Sequence, residues 1–205
     1  MHPLLVIGVL ASAAWAAAGL ALLHAEARAY GQRALHAAPA GDPAAGVRYA
    51  FTGAMSPTAK ESVREHLPSY LAGLAYHAGI FTALGLLAIT LAEVSLPGPL
   101  RLLVQALLGL GTLGGLSLLL KRALKPELRG LSTPDDVLSN LLATAFVALA
   151  IFGPSTPWLL SAMLLLLYVP LGKLRHSLFF FVARRHLGAF FGRRGVFPPG
   201  GAHGR

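Results

Sequence analysis

Leu100-Arg101-Leu102-Leu103-Val104-Gln105-Ala106-Leu107-Leu108-Gly109-Leu110-Gly111-Thr112-Leu113-Gly114-Gly115-Leu116-Ser117-Leu118-Leu119-Leu120 carries one charge, Arg101, and is closed by Lys121-Arg122. About 20 apolar residues rising 1.5 Å each reach across a hydrocarbon core. A run of this kind reads as a membrane-crossing helix. Four other stretches repeat it, at residues 3–23, 70–92, 137–152 and 157–171. The last two are short, and both extend. Ser132-Thr133-Pro134-Asp135-Asp136 supplies a capping hydroxyl, a proline suited to a first turn and two acids for the positive end of a helix. The fourth helix is therefore expected over about 136–152. Beyond Lys173 and Arg175 the chain resumes as Ser177-Leu178-Phe179-Phe180-Phe181-Val182, which carries the fifth helix over about 157–188. Lipid offers the backbone no hydrogen-bond partner, so the spans must be helices. The expected fold is an all-α integral membrane bundle of five transmembrane helices within residues 1–190, near 3–23, 70–92, 100–120, 136–152 and 157–188. A 25–68 loop and a 191–205 tail complete it.

Only 12% of the 205 residues are charged and 55% are hydrophobic, against roughly 25% charged in a soluble domain. Seventeen Lys+Arg against eight Asp+Glu leave a net charge of +9, and the order of the cations along the chain explains that excess. Arg28, Arg33, Arg48, Lys60 and Arg64 lie in the first loop. Lys121, Arg122, Lys125 and Arg129 follow the third run, and Lys173, Arg175, Arg184, Arg185, Arg193, Arg194 and Arg205 follow the fifth. All sixteen fall on one side of a five-span topology, and only Arg101, beside Leu96-Pro97-Gly98-Pro99, falls on the other. The positive-inside rule then puts the N-terminus outside and the C-terminus in the cytoplasm. The expected location is the cytoplasmic (inner) membrane, multi-pass, with the lipid bilayer and no nucleic acid as a partner. Residues 11–18 offer small-residue cleavage sites, but no basic segment precedes the first run, so it is expected to stay as a helix. The Gly/Pro-rich residues 195–205 are expected to be loose unless a partner holds them.

Zero cysteines exclude disulfides, thiolate zinc sites, cysteine-held iron–sulfur clusters and c-type haem attachment. Acids are nearly missing from the helix interiors, where an ion-coupled transporter needs them. No phosphate-binding glycine loop or nucleophile elbow is present. The eight histidines sort by depth. His2, His24, His36 and His203 fall at ends or in loops. His77, in Ala75-Tyr76-His77-Ala78-Gly79, lies about seven residues inside the second span, with Gly73 one turn back. His176 follows Pro170-Leu171-Gly172-Lys173-Leu174-Arg175 near the end of the fifth. Two imidazoles on antiparallel helices suit the axial positions of one b haem, an interhelical hydrogen bond, or a proton or metal path. In the haem case Lys121, Arg122, Lys173 and Arg175 are candidate propionate contacts. His66 and His186 repeat the pair at nearly whole helical turns from His77 and His176, a weaker second pair. Glu93 and Arg101 flank the outer turn, where they suit quinone contact, proton relay or interface anchoring. Gly109, Gly111, Gly114 and Gly115 allow close helix packing, and Trp158 suits an aromatic belt.

Four segments in order resemble the gamma subunit of membrane-bound respiratory nitrate reductase and its relatives in heterodisulfide-reductase-like and sulfite-reduction-associated complexes. They are Tyr76-His77-Ala78-Gly79-Ile80, Leu118-Leu119-Leu120-Lys121-Arg122, Leu131-Ser132-Thr133-Pro134-Asp135-Asp136 and Pro170-Leu171-Gly172-Lys173-Leu174-Arg175-His176. The resemblance covers roughly residues 70–190. It implies a quinol-linked cytochrome b that passes electrons to a cytoplasmic-side iron–sulfur protein subunit, with His77 and His176 as ligands to the haem iron. Two-haem relatives have a second ligand pair, but Leu86-Leu87-Ala88 and the leucines around Trp158 stand there, so a single heme b is expected. The alternative from the same resemblance is a haem-free membrane anchor or assembly subunit.

Overall fold

The structure is a computed structural model and describes residues 2–31, 38–57, 63 and 65–199. Arg33, His36, Lys60, Arg64, His203 and Arg205 lie outside the described residues. Every regular element among those described is helical. In order they are α1 (Pro3–Ala29), α2 (Pro43–Phe51), a 3-10 turn (Gly53–Met55), α3 (Leu67–Leu91), α4 (Gly98–Leu124), α5 (Pro126–Leu131), α6 (Pro134–Ala150), α7 (Thr156–Tyr168), a second 3-10 turn (Lys173–Arg175) and α8 (His176–Arg193). Helices α1, α3 and α4 are long and apolar enough to cross a membrane. A fourth span exists if α7 and Lys173–Arg193 form one broken crossing. The all-helical, membrane-spanning character expected from the apolar runs is present, with three to four such helices.

The expected continuous helix over 157–188 is two helices. Pro170 has no N–H to donate, and its ring opposes the carbonyl four residues back, so the helix cannot pass through it. Leu171 N and Gly172 N instead both donate to Tyr168 O, at 3.0 and 3.1 Å, and close α7 in a tight turn. Among its described residues the 25–68 segment also carries helix. Helix α1 runs on to Ala29, and α2 starts where Asp42 accepts from Ala44 N (2.8 Å) and Ala45 N (3.0 Å), with Pro43 in its first turn.

The chain divides into two compact units, one of residues up to Leu23 with Pro68–Leu174, the other of His24–Leu67 with Arg175 onward. In the first, α3 turns Tyr76, Gly79, Ala83 and Leu87 inward at helical spacing. It lies so close to α4 that a Cβ on Gly79 would sit 2.6 Å from the Gly111 Cα, and one on Gly114 would sit 2.6 Å from Ala72 O. Helices α6 and α7 supply most of the core: Ala143, Phe146, Val147, Ala150, Trp158, Leu159, Ala162 and Leu165. Trp158 is fully buried, stacked on Phe146 at 6.0 Å, so it does not occupy an aromatic belt. Helix α1 contributes a face of small residues, with Gly8 against Met163 and Gly19 against Pro170, and Trp15 Nε1 donates to Leu167 O at 3.1 Å. Its other face leaves Leu4, Ile7, Leu10 and Leu22 exposed, as a lipid-facing helix requires.

In the second unit α2 packs on α8 through glycines. A Cβ on Gly188 would meet Val47 Cα at 2.7 Å, and one on Gly192 would meet Gly46 Cα at 2.8 Å. Ala40 N and Gly41 N donate to Arg193 O (2.8 and 3.1 Å), which satisfies a helix-end carbonyl. Val196 N and Phe197 N donate to Phe191 O, and the Phe197 ring packs on Tyr49 and Phe191. The expected 191–205 tail therefore begins inside α8, and Val196-Phe197 folds back so that the Phe197 ring meets Tyr49 of α2.

The backbone contact at Gly79 makes a direct prediction. Gly79→Val should destabilise the first unit by about 1–3 kcal/mol, the usual cost of overpacking, whereas Gly109→Ala, whose Cβ meets nothing within 4 Å, should be near neutral. Intrinsic fluorescence melting in detergent reads this unit directly, because both tryptophans, Trp15 and Trp158, lie in it.

Candidate functional site

With Tyr76 and Gly79 turned inward, the 3.6-residue period aims Leu71, Leu74, His77, Ala78, Phe81 and Leu84 outward, and all are exposed. His77 is ten residues into the 25-residue α3, about 15 Å from its first residue, which is deeper than its sequence neighbours suggested. Its Nδ1 lies 2.8 Å from Gly73 O. A carbonyl can only accept, so a neutral imidazole held this way carries its proton on Nδ1 and keeps the Nε2 lone pair for another partner. Metal-ligating histidines are oriented in this manner. A Cβ on Gly73 would meet nothing within 4 Å, and the Phe81 ring lies 6.5 Å from the imidazole on the same face. Gly73 and Ala78 thus leave open space beside His77. Gly79, on the inner face, is taken up by Gly111.

The other expected residues divide between the two units. His176 is the exposed first residue of α8, and Arg175 is exposed in the turn before it. His66, in the turn before α3, and His186, on α8, are exposed. Glu93 sits beyond the end of α3 at φ +56°, where Val94 N donates back to Ile89 O at 2.9 Å. Arg101 is exposed in the first turn of α4, and among the described residues the two form no ion pair.

Three of the four candidate propionate cations are engaged within the first unit. Lys121 donates to Ser69. Arg122 donates to Ser132 (3.0 Å) and lies 3.4 Å from Asp136, and Lys173 Nζ reaches Asp136 at 2.6 Å. Asp136 also closes a capping box by accepting from Thr133 N at 2.9 Å. Its neighbour Asp135 accepts from Tyr168 Oη (2.6 Å), Ser139 Oγ (2.9 Å) and Lys173 N (3.2 Å). Both carboxylates precede the apolar run that starts at Val137. The Lys173 ammonium, helped by the Thr133 donors, holds Asp136 far below the usual carboxylate range, and the Tyr168 hydroxyl holds Asp135 below it.

One polar assembly escaped the sequence reading. Tyr76 Oη donates to Asn140 O at 2.9 Å and accepts from Thr144 Oγ1 at 3.0 Å. Its signal was present: Asp135, Ser139, Asn140 and Thr144 recur at four-, five- and nine-residue offsets, one polar stripe on an apolar helix. Among the described residues no three His, Asp or Glu side chains come together as a metal cage; a bis-imidazole site needs two ligands. No family model, curated protein or solved structure matches the chain.

The ion pairs on Asp136 give a pH signature. A folded-state pKa below the unfolded value of about 3.9 contributes stability that is complete above the unfolded value, starts to be lost as pH falls below it and is gone only below the folded-state pKa. Wild-type melting temperature should drop on acidification below about pH 4. Asp136→Asn, which keeps a cap acceptor but loses the charge, should melt lower than wild type at pH 7 and lose less on acidification. Fluorescence melting across pH 3–7 in detergent measures both.

Proposed function

We propose that this chain is the membrane cytochrome b subunit of a multisubunit respiratory oxidoreductase. One b-type haem, with His77 and His176 as its axial ligands, would link membrane quinone to an iron–sulfur protein on the basic, cytoplasmic side of the membrane. The crossings would be α1, α3, α4, α6 and α7, with the N-terminus outside. The observation that carries this is His77, an imidazole near the middle of an apolar helix and on its outward face. An ionisable side chain placed there is costly and marks function.

The residues fit the group on three points. Gly73 O orients the imidazole and leaves Nε2 as the donor atom. Gly73 and Ala78 leave the space a flat macrocycle needs, and Phe81 supplies an apolar flank. Arg175 is an exposed cation one residue before His176, suited to a propionate, while Arg122 and Lys173 balance Asp136. A bound haem would supply reversible one-electron chemistry, its potential set by ligands, burial and nearby charge. The chain's part would be to present two imidazoles, that of His77 oriented by Gly73 O, and to offer a cationic face to a partner. Without cysteine it has no thiolate for an iron–sulfur cluster, so the next electron carrier belongs to another polypeptide.

A reduced-minus-oxidised spectrum of the purified full-length chain should show a b-type alpha band with one haem per chain. His77→Ala and His176→Ala should each lose most of that haem, while His66→Ala and His186→Ala retain it. A wild-type protein without Soret or alpha absorbance, still required to hold its partners at the membrane, would overturn the cytochrome in favour of a haem-free anchor. Unchanged haem in both ligand variants would overturn the site.

A further inference from the structure

Helix α8 has the wrong charge distribution for a membrane span and the right one for a membrane surface. Its midpoint falls on Arg184-Arg185, and no acid occurs anywhere after Asp136 to pair with them. A crossing would put two arginines at the bilayer centre, the costliest place for them, with the Arg184 bond to Ala50 O (3.0 Å) offsetting only part of that cost. The glycine face, Gly188 and Gly192, is used up by α2. On the side away from it lie Phe179, Ala183, His186, Leu187 and Phe190, with Leu187 and Phe190 still 44% and 40% exposed, while Phe180 and Phe181 pack on Phe51 of α2. Arg184 stands over the Phe180 ring (5.5 Å to the centroid) and Arg194 over Phe190 (3.6 Å). Arg193 Nε is buried without a hydrogen-bond partner. Arginines at the edge of an aromatic face, on a chain that also carries helices long and apolar enough to cross lipid, are the components of an interfacial helix.

We infer that α8 is a surface-lying helix whose occupant is an anionic phospholipid surface, the Phe179–Phe190 face entering the acyl boundary and Arg193 and Arg194 meeting lipid phosphates. Charge complementarity selects the lipid: residues 175–199 hold five arginines and no acid, and each cation near an anionic leaflet adds to binding. This inference stands on α8 and its packing and does not depend on haem.

The absence of native cysteine makes the test direct. An Ala183→Cys chain, full length and spin-labelled, is placed in nanodiscs of phosphatidylcholine alone or with phosphatidylglycerol, after its melting temperature is shown to match wild type. With phosphatidylglycerol the nitroxide should sit about 5–10 Å into the lipid boundary, its collisions with a water-soluble nickel chelate about threefold fewer than in phosphatidylcholine. Arg193→Gln with Arg194→Gln, or high salt, should abolish most of that difference, since screening shortens the reach of exposed charges. A label equally water-exposed in both lipids would overturn the inference, as would one at the bilayer centre in both, the signature of a span. Shielding that appears only when a partner subunit co-purifies would also overturn it and assign the face to protein.

Discussion

The first unit depends on the backbone contact between Gly79 of α3 and Gly111 of α4. Helices in lipid gain little from burying leucine, because the solvent is as apolar as the side chain, so close approach of small residues and hydrogen bonding hold them together. Here the approach leaves no room for a Cβ on either glycine. Two consequences follow from the helical period alone. Tyr76, three residues before Gly79, is carried into the core, where its hydroxyl bonds to Asn140 and Thr144. His77, rotated by about 100°, is carried out of it. The contact that closes the bundle therefore also sets which way His77 faces.

Charge follows a second constraint. Asp135 and Asp136 are the last acids in the chain, and both are spent at the start of α6. They cap the helix, accept from the turn that ends α7 and pair with Arg122 and Lys173. The arginines of α8 have no acid left on their own segment. Each arginine at the centre of a span costs about 2.5–3.5 kcal/mol on insertion scales, so a pair at a helix midpoint disfavours crossing strongly. The break at Pro170 ends the apolar α7 before the arginine-bearing helix begins.

Much of this was legible in residue order. The apolar runs located α1, α3 and α4, the Ser-Thr-Pro-Asp-Asp segment located the α6 capping box, and Pro170 and Gly172 were visible in a stretch nonetheless read as one helix. That misreading came from weighing apolar content, which continues through Phe179–Val182, above proline's missing donor. Trp158 was misplaced for a related reason: a tryptophan near a helix end suits an interface, and only the position of Phe146 shows that it is buried.

The sequence alone determined which segments can leave water, because transfer free energy is set residue by residue along the chain and needs no knowledge of neighbours. It also determined that any iron–sulfur cluster belongs elsewhere, since the missing thiolates are a matter of composition. The tertiary structure decided which face of each helix is inward, which glycines serve packing and which cations are already paired. Those outcomes rest on contacts between residues such as Tyr76 and Thr144 or Lys121 and Ser69, far apart in the chain. Helical period limits a side chain to a direction around its axis, and only the packed neighbours decide what that direction faces.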